Sequence, residues 1–560
     1  MTPSPSLADS TGVHDYLPHG APVAPPDGRS ITTALLHHAR HAPDRPYLTW
    51  CPAGGGHRTL TYRELEHHSR RLAALLTARL RPGSAVALLP GNDIPSVVAV
   101  FAALRAGTPC LFLNPSDPAR RLATVLGAHP VGAVLCSPYA PPHARRFTHA
   151  SVPPQGTGPG GLVLGDDGPP PGYALPAAAA PGLPGDGAVP ADRTAFVFGT
   201  SGSTAASKLV AQPRRAVSSN AEAVRRHHRL DGNTVLMGGL PLHHVNGVHF
   251  TLMAPALAGA HVVLPQELSP FGYRDLLDAH RPHLASVVPP VLEMLLATGR
   301  GRRPPDGLRS FVSAAAPLGQ GLLRRFTDTW GTWGIRVLQG YGLSETTNFS
   351  TTVPPDVTDE TYRAVALDAD IPSVGVALHG NEVEVFAPDG TVLGEGRTGE
   401  IRMRGHNVMT GYAGRPDLTS EAFAGGWFHS GDLGHWATGP DGRRYYYLTG
   451  RAKNVAKVRG ESVSLEEVER ALLVTGPVTD AACFSVPHPQ WGEQLVAVVA
   501  APAAVLPAIR AGLAALLPPA ALPTHWHAVD HVPRTATGKL RRAELAERFA
   551  PEHFTPGAAR

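Results

Sequence analysis

Several short runs carry residue types that can do chemistry. The first is Phe198-Gly199-Thr200-Ser201-Gly202-Ser203-Thr204-Ala205-Ala206-Ser207-Lys208, directly after the apolar Thr194-Ala195-Phe196-Val197. Glycines and small hydroxyls let backbone amides and OH groups wrap phosphate oxygens, and a lysine adds positive charge. It is not the P-loop pattern, because Ser207 rather than glycine precedes Lys208. Alone it reads equally well as a flexible loop or a phosphate cradle. Pro241-Leu242-His243-His244-Val245-Asn246-Gly247 offers a histidine pair, and Gln339-Gly340-Tyr341-Gly342-Leu343-Ser344-Glu345 sets a hydroxyl beside a carboxylate. Each is weak in isolation, since a lone histidine is usually structural and a Ser-Glu pair usually a turn. Later come Gly426 to Gly434 with Asp432, Gly450 to Gly460 with Arg451, Lys453, Lys457 and Arg459, and Pro533 to Lys539.

The elements that must position these runs read as α/β. Apolar residues recur at helical spacing from Arg70 to Leu80, while Ala85–Leu89, Thr108–Leu113 and Val131–Leu135 are short apolar runs between helical stretches. That rhythm predicts doubly wound parallel layers in a large N-terminal domain with twisted sheets and helices. After Tyr445 to Arg451, Ser464–Val474 reads as a capped helix and Leu495–Val499 as a strand, giving a small α+β domain at the C-terminus. The expected division is a flexible segment 1–29, a domain 30–450 and a domain 451–560, with 153–190 an exposed, poorly ordered Gly/Pro/Ala connection.

Bulk properties exclude some functions. The chain has 560 residues, 43% hydrophobic and 17% charged, with 60 Gly and 57 Pro, which suits a large soluble enzyme rich in turns. A net charge of +4 without any Lys/Arg run argues against nucleic-acid binding. No apolar run reaches the roughly 20 residues that span a bilayer. The N-terminus lacks the pattern of a secretory signal, so a cytoplasmic location is expected. Cys51, Cys110, Cys136 and Cys483 stand too far apart for a zinc or disulfide framework.

Taken together, the six segments in this order resemble the superfamily of acyl-CoA synthetases, peptide-synthetase adenylation domains and luciferases, from about Leu60 to Leu545. The resemblance implies a two-step reaction: ATP and a carboxylic acid give an acyl-adenylate and pyrophosphate, then the small domain rotates and a thiol, by default that of CoA, displaces AMP. By the same resemblance, Thr200, Ser201, Gly202, Ser203, Thr204 and Lys208 match the loop for the β- and γ-phosphates. Ser344 would bind the AMP phosphate and Glu345 would ligate Mg²⁺. Asp432 and Arg451 would hold the ribose, and Gln339, Gly340, Tyr341, Ala315 and Ala316 would enclose adenine. Lys539 would serve adenylation, and Lys453 would be the hinge. Lys457, with Arg459 and Gly460 at the CoA face, would act after rotation. His244 matches the gate between the acyl pocket and the thiol tunnel. The acyl pocket would draw on His244, Val245, Gly247, Val248, Ser313, Ala314, Thr346 and Thr347.

One segment departs from that resemblance. Where the family commonly reads Ser-Gly-Thr-Thr-Gly-x-Pro-Lys-Gly, this chain has Ser201-Gly202-Ser203-Thr204-Ala205-Ala206-Ser207-Lys208-Leu209. If Ala205 and Leu209 occupy left-handed backbone, each costs about 1–2 kcal/mol, and loss of the proline loosens the loop further. Since about 1.4 kcal/mol is tenfold in rate, pyrophosphate-releasing chemistry is the step expected to suffer. Several readings follow. The chain is either an ordinary two-step ligase or one specialised for acyl-adenylate plus CoA, supplied by a separate adenylating enzyme. A carrier-protein thiol, an amine acceptor and a non-catalytic adenylate-binding protein are the alternatives; a luciferase-like oxidation shares the fold, but nothing in the sequence favours it.

Overall fold

The computed structural model describes residues 30–149, 160–163, 189–200, 208–267, 272–298, 302–314, 316–535 and 538–551. Two mostly parallel sheets dominate the N-terminal part. In one, the strands Gly160–Val163, Ala133–Cys136, Val86–Leu89, Cys110–Phe112 and Thr194–Gly199 run parallel in that spatial order, and Leu209–Pro213 and Gly411–Tyr412 close the edge antiparallel. The other runs parallel from Pro46–Cys51 through His261–Pro265, Val235–Met237, Leu284–Val287 and Ser310–Ser313 to Arg336–Gly342. Strands such as Val86–Leu89 and Leu284–Val287 are buried throughout, which is why they read as unbroken apolar runs. The doubly wound reading of these layers holds.

A third, antiparallel sheet of Asn381–Phe386, Gly399–Gly405, Phe428–Thr438 and Arg444–Arg451 leads into the last hundred residues. There, helix Leu465–Val474 starts where the sequence indicates, with Ser464 Oγ accepting from the Glu467 N–H at 3.4 Å. It packs through Val468 and Leu472 on a separate core with Ala497, Val499 and Ile509. A contiguous core of this kind lets the segment hold its shape independently of the large sheets.

The connection expected to be unstructured contains a strand. Gly160–Val163 pairs parallel with Ala133–Cys136, because that strand otherwise presents an open edge and Leu162-Val163 supplies two β-forming residues inside a Gly-rich run. The remainder of 153–190 up to residue 188, and segment 1–29, lie outside the described residues. All four cysteines are buried and unbridged. Among the described residues no helix is long and apolar enough to cross a membrane.

Candidate active site

Antiparallel pairing places Asp432 opposite Arg451 at one end of the third sheet. Arg451 Nε donates to Asp432 Oδ1 at 2.5 Å, and Tyr341 Oη donates to Asp432 Oδ2 at 2.7 Å. The carboxylate is nearly buried, so the guanidinium offsets its desolvation. Burial, and next the negative Asp432, push the Tyr341 phenol well above its ordinary pKa, keeping it a donor. Arg451 Nη2 adds a longer bond to Oδ2 at 3.4 Å, and a carboxylate with about four lone-pair sites still has room to accept another.

Beside this pair, Glu345 Oε1 accepts from Tyr412 Oη at 2.9 Å, and Lys208 Nζ lies 4.7 Å from the centre of the Tyr412 ring. Burial raises the Glu345 pKa, against hydrogen bonds from its own backbone and from Tyr412 and the charges of Arg451 and Lys208. Lys208 belongs to a hairpin. The Thr200 N–H donates to the Lys208 carbonyl at 2.9 Å, and Gly199 pairs with Leu209 across antiparallel strands. Leu209 is therefore ordinary extended strand, 3% exposed, and is absent from the residues with left-handed φ. The expected strain at Leu209 does not exist: the position is set by strand pairing and apolar burial, not by a turn.

Behind Ser344 lies a buried polar support. Gln212 Nε2 donates to the carbonyls of Ser344 (2.8 Å) and Thr347 (3.3 Å), while His249 Nε2 donates to Gln212 Oε1 at 2.8 Å. Burial drives the His249 pKa down to about 3, so the imidazole is neutral and keeps one N–H for this bond. Thr347 holds φ +67°, outside the usual range for a β-branched residue. Its hydroxyl donates to the Asn407 carbonyl at 2.5 Å and Asn407 Nδ2 donates to the Thr346 carbonyl at 3.0 Å, so the turn after Glu345 is pinned from outside.

The C-terminal segment reaches into the same cleft. A Cβ on Gly538 would stand 3.3 Å from the Cβ of Ala316 and 3.6 Å from Pro290, so the loop before Lys539 lies against the large domain. Burial lowers the Lys539 pKa first, Arg451 and Lys453 lower it further, and Asp432 and Glu345 pull upward. His244 has its pKa pushed down to about 4 by burial and then by Lys539, and His243, 4.4 Å away ring to ring, falls to about 3. Both are neutral near pH 7.

His244 stands at the start of a helix that continues through Val245, Gly247 and Val248, where a Cβ on Gly247 would collide with the Pro241 carbonyl. Ser313 and Ala314 end the parallel strand Ser310–Ser313, in register with Gln339 on its neighbour. Gly340 is packed so that a side chain there would meet the Phe349 ring.

Other expected residues are elsewhere. Lys457 Nζ donates to Ser462 Oγ at 2.5 Å, and Arg459 stacks 4.2 Å from the Trp491 ring centre. Arg459 and Gly460 have φ of +53° and +83°, the two-residue turn of a tight hairpin in which Val458 pairs with Glu461. Gly460 thus has a local backbone reason to be glycine. Lys457 and Arg459 bond and stack within the C-terminal segment, on Glu493, Ser462 and Trp491. Lys453 lies just past Arg451 with its pKa lowered by burial and by Arg451. Ser201, Gly202, Ser203, Thr204 and Ala315 lie outside the described residues, as do Ala205, Ala206 and Ser207.

Sequence reasoning missed Tyr412, Gln212, His249 and Asn407. The trace of the Gln212–His249 pair is a polar residue inside each of two mostly apolar elements.

The pattern of the AMP-binding enzyme family matches residues 35–413, and that of the AMP-binding enzyme C-terminal domain matches residues 467–539. Sulfoacetate–CoA ligase of Cupriavidus necator is 31% identical over 358 residues, 63% of this chain and 67% of that protein. Feruloyl-CoA synthase of an Amycolatopsis species is 29% identical over 522 residues, 91% of this chain and 98% of that one. ATP-bound MatB from Rhodopseudomonas palustris superposes with a TM-score of 0.78 at 26% identity, covering 93% of this chain and 99% of its own.

Proposed function

Because the chain belongs to the AMP-binding enzyme family, we propose that this acid–thiol ligase converts a carboxylic acid to its CoA thioester through an acyl-adenylate, with the residues assembled above as its machinery. The observation that carries the reading is the Asp432 carboxylate bonded by Arg451 and Tyr341, with the loop before Lys539 laid against Ala316 and Pro290 of the large domain, all drawn from distant parts of the chain.

In the first step a carboxylate oxygen attacks the α-phosphorus of ATP and the bond to the bridging oxygen breaks, releasing pyrophosphate. Lys539 stabilises the negative charge that builds on these oxygens. Asp432 accepts from the ribose hydroxyls while Arg451 and Tyr341 hold its carboxylate still. Ser344 donates to the α-phosphate from a turn fixed by Gln212. Glu345, a buried carboxylate beside Lys208, suits Mg²⁺, which usually takes one or two protein carboxylates and fills its remaining positions with phosphate oxygen and water. When bound, Mg²⁺ neutralises phosphate charge.

In the second step the C-terminal domain, 451–560, turns about Lys453. Lys539 leaves, and Lys457, Arg459 and Gly460 take its place around the incoming CoA. The thiolate sulfur attacks the acyl carbon and the carbon–oxygen bond to AMP breaks. His244 separates the acyl group from the thiol entrance. The protein works in the cytoplasm, where ATP and CoA are supplied.

A second reading, specialisation for the transfer step on an adenylate made by another enzyme, rests on Ala205 and Ser207 in the phosphate loop. Leu209 no longer supports it, and the position of Lys539 favours a working first step.

The test is to incubate the protein with ATP, Mg²⁺ and candidate acids, and separately with synthetic acyl-adenylates and CoA. Thioester formation from adenylates is expected on either reading. Pyrophosphate exchange restored only by the double change Ala205→Gly and Ser207→Pro would select the specialised one. Failure of every adenylate to yield a thioester would reject both.

A further inference from the structure

Resting on the reading above, in which the C-terminal domain turns about Lys453, we propose that Arg470 is a positioning residue for the first half-reaction: its bond to the Thr449 carbonyl spans the hinge and holds the orientation in which Lys539 enters the cleft.

The two partners stand on opposite sides of Lys453. Thr449 lies in strand Arg444–Arg451, the turn Ala452–Asn454 carries Lys453, and helix Leu465–Val474 carries Arg470. Arg470 Nη1 donates to the Thr449 carbonyl at 2.9 Å. The carbonyl is available for a local reason. Leu448 pairs with Gly434 and Gly450 with Leu433, so Thr449 is the extra residue of a β-bulge, in the outermost strand of its sheet. A bulge on an edge leaves backbone groups in need of partners, and the guanidinium supplies one.

The approach is close on the next residue as well. A Cβ on Gly450 would stand 2.8 Å from Glu466 Oε2 and 2.9 Å from Ser464 Oγ, so the strand backbone lies directly on the start of the helix. Burial lowers the Arg470 pKa, while Glu467, Glu466 and Glu469 raise it. A charged donor drawn partly out of water makes a stronger bond than a solvated one.

The helix carries this anchorage to Lys539. Glu466 Oε1 accepts from Asn454 Nδ2 at 2.5 Å and from Arg542 Nη2 at 3.3 Å, and Arg542 Nη2 also donates to both carboxylate oxygens of Glu469, at 2.8 and 2.9 Å. Arg542 lies three residues after Lys539. Asn454, Glu466, Glu469 and Arg542 all follow Lys453 in the chain, so their mutual bonds travel with the domain. The Arg470–Thr449 bond and the Gly450 contact cross the hinge, and rotation must break both. A charge-assisted bond present in only one of two orientations shifts the balance between them roughly tenfold.

The experiment uses the full chain carrying Ala316→Cys and Gly538→Cys, because Cβ atoms at these positions stand 3.3 Å apart in this orientation, near disulfide spacing, while the four native cysteines are buried. AMP and desulfo-CoA, which lacks the thiol sulfur, are added to favour the turned orientation, so that the rate of disulfide closure follows the equilibrium between the two. Arg470→Met keeps the stem and removes the donor, and it should slow closure roughly tenfold. Gly450→Ala should act in the same direction, and Arg470→Lys, still a charged donor, should recover part of the rate. Without the added cysteines, Arg470→Met should lower pyrophosphate exchange and leave transfer from a synthetic adenylate to CoA at least as fast, a split that general destabilisation does not produce. An unchanged rate of closure in Arg470→Met, or equal losses in both half-reactions, would overturn the proposal. Failure of the unaltered chain to bind AMP and to form any thioester would overturn the ligase reading instead.

Discussion

Tyr341 Oη and the Asp432 carboxylate stand 2.7 Å apart although 91 residues separate them, and the same carboxylate faces Arg451 across a strand pair. Replacing Asp432 by Asn keeps the shape but gives Arg451 and Tyr341 a weaker acceptor. AMP affinity should fall about tenfold to a hundredfold, the cost of losing charge-assisted hydrogen bonds of about 1.5–3 kcal/mol. Tyr341→Phe should cost less, about 1 kcal/mol. Calorimetric titration with AMP measures both.

Lys539→Ala should cut pyrophosphate exchange by about a hundredfold or more, in line with loss of a positioned charge at the reacting oxygens. Transfer from a presynthesised adenylate to CoA should change only a few-fold. The same substitution removes the one charge that, after burial, lowers the His244 pKa, so that pKa should rise from about 4. An imidazole NMR titration reads the shift.

Leu209→Gly restores the residue common in related phosphate loops, yet it should harm this protein. Leu209 is 3% exposed within a paired strand, so truncation costs about 2–4 kcal/mol of stability. A lowered urea midpoint without gain in pyrophosphate exchange is the expected outcome.

Gln212→Ala leaves the Ser344 and Thr347 carbonyls and His249 without their partner. Each buried group so stranded costs about 1–3 kcal/mol. The variant should unfold at lower denaturant and bind AMP more weakly, because Ser344 loses its support.

Acid should destabilise the fold steeply. His249, with its pKa near 3, stays neutral in the folded chain while the unfolded chain takes up a proton below about pH 6.5. Its depressed pKa therefore costs nothing above 6.5, and stability falls as pH drops from there toward 3, by about 1.4 kcal/mol per unit. His243 and His244 add to the slope. Urea midpoints between pH 7 and 5 should fall, and His249→Gln should flatten the dependence by one proton's worth.

Part of the candidate site is legible because it is local: Ser344 and Glu345 adjoin in sequence, and Lys539 follows Gly538 in a turn. What was not legible depends on pairing at a distance. Tyr412 meets Glu345 only because strand Gly411–Tyr412 docks on Leu209–Pro213. Gln212 and His249 each look like one stray polar residue until the fold joins them. Leu209 was misjudged for the same reason, since strand register rather than loop chemistry governs it. Gly160–Val163 was hidden by composition: a Gly-rich run becomes a strand when a neighbouring edge offers hydrogen bonds.

The four buried cysteines have a practical consequence. Burial raises the thiol pKa of Cys51 to about 11 and of Cys136 to about 12, and drives Cys110 and Cys483 higher still. Near neutral pH almost none of them is thiolate, and all are shielded from reagents. A colorimetric disulfide reagent added to the native enzyme should therefore register the thiol of CoA and nothing from the protein, and disappearance of that colour becomes a direct clock for turnover.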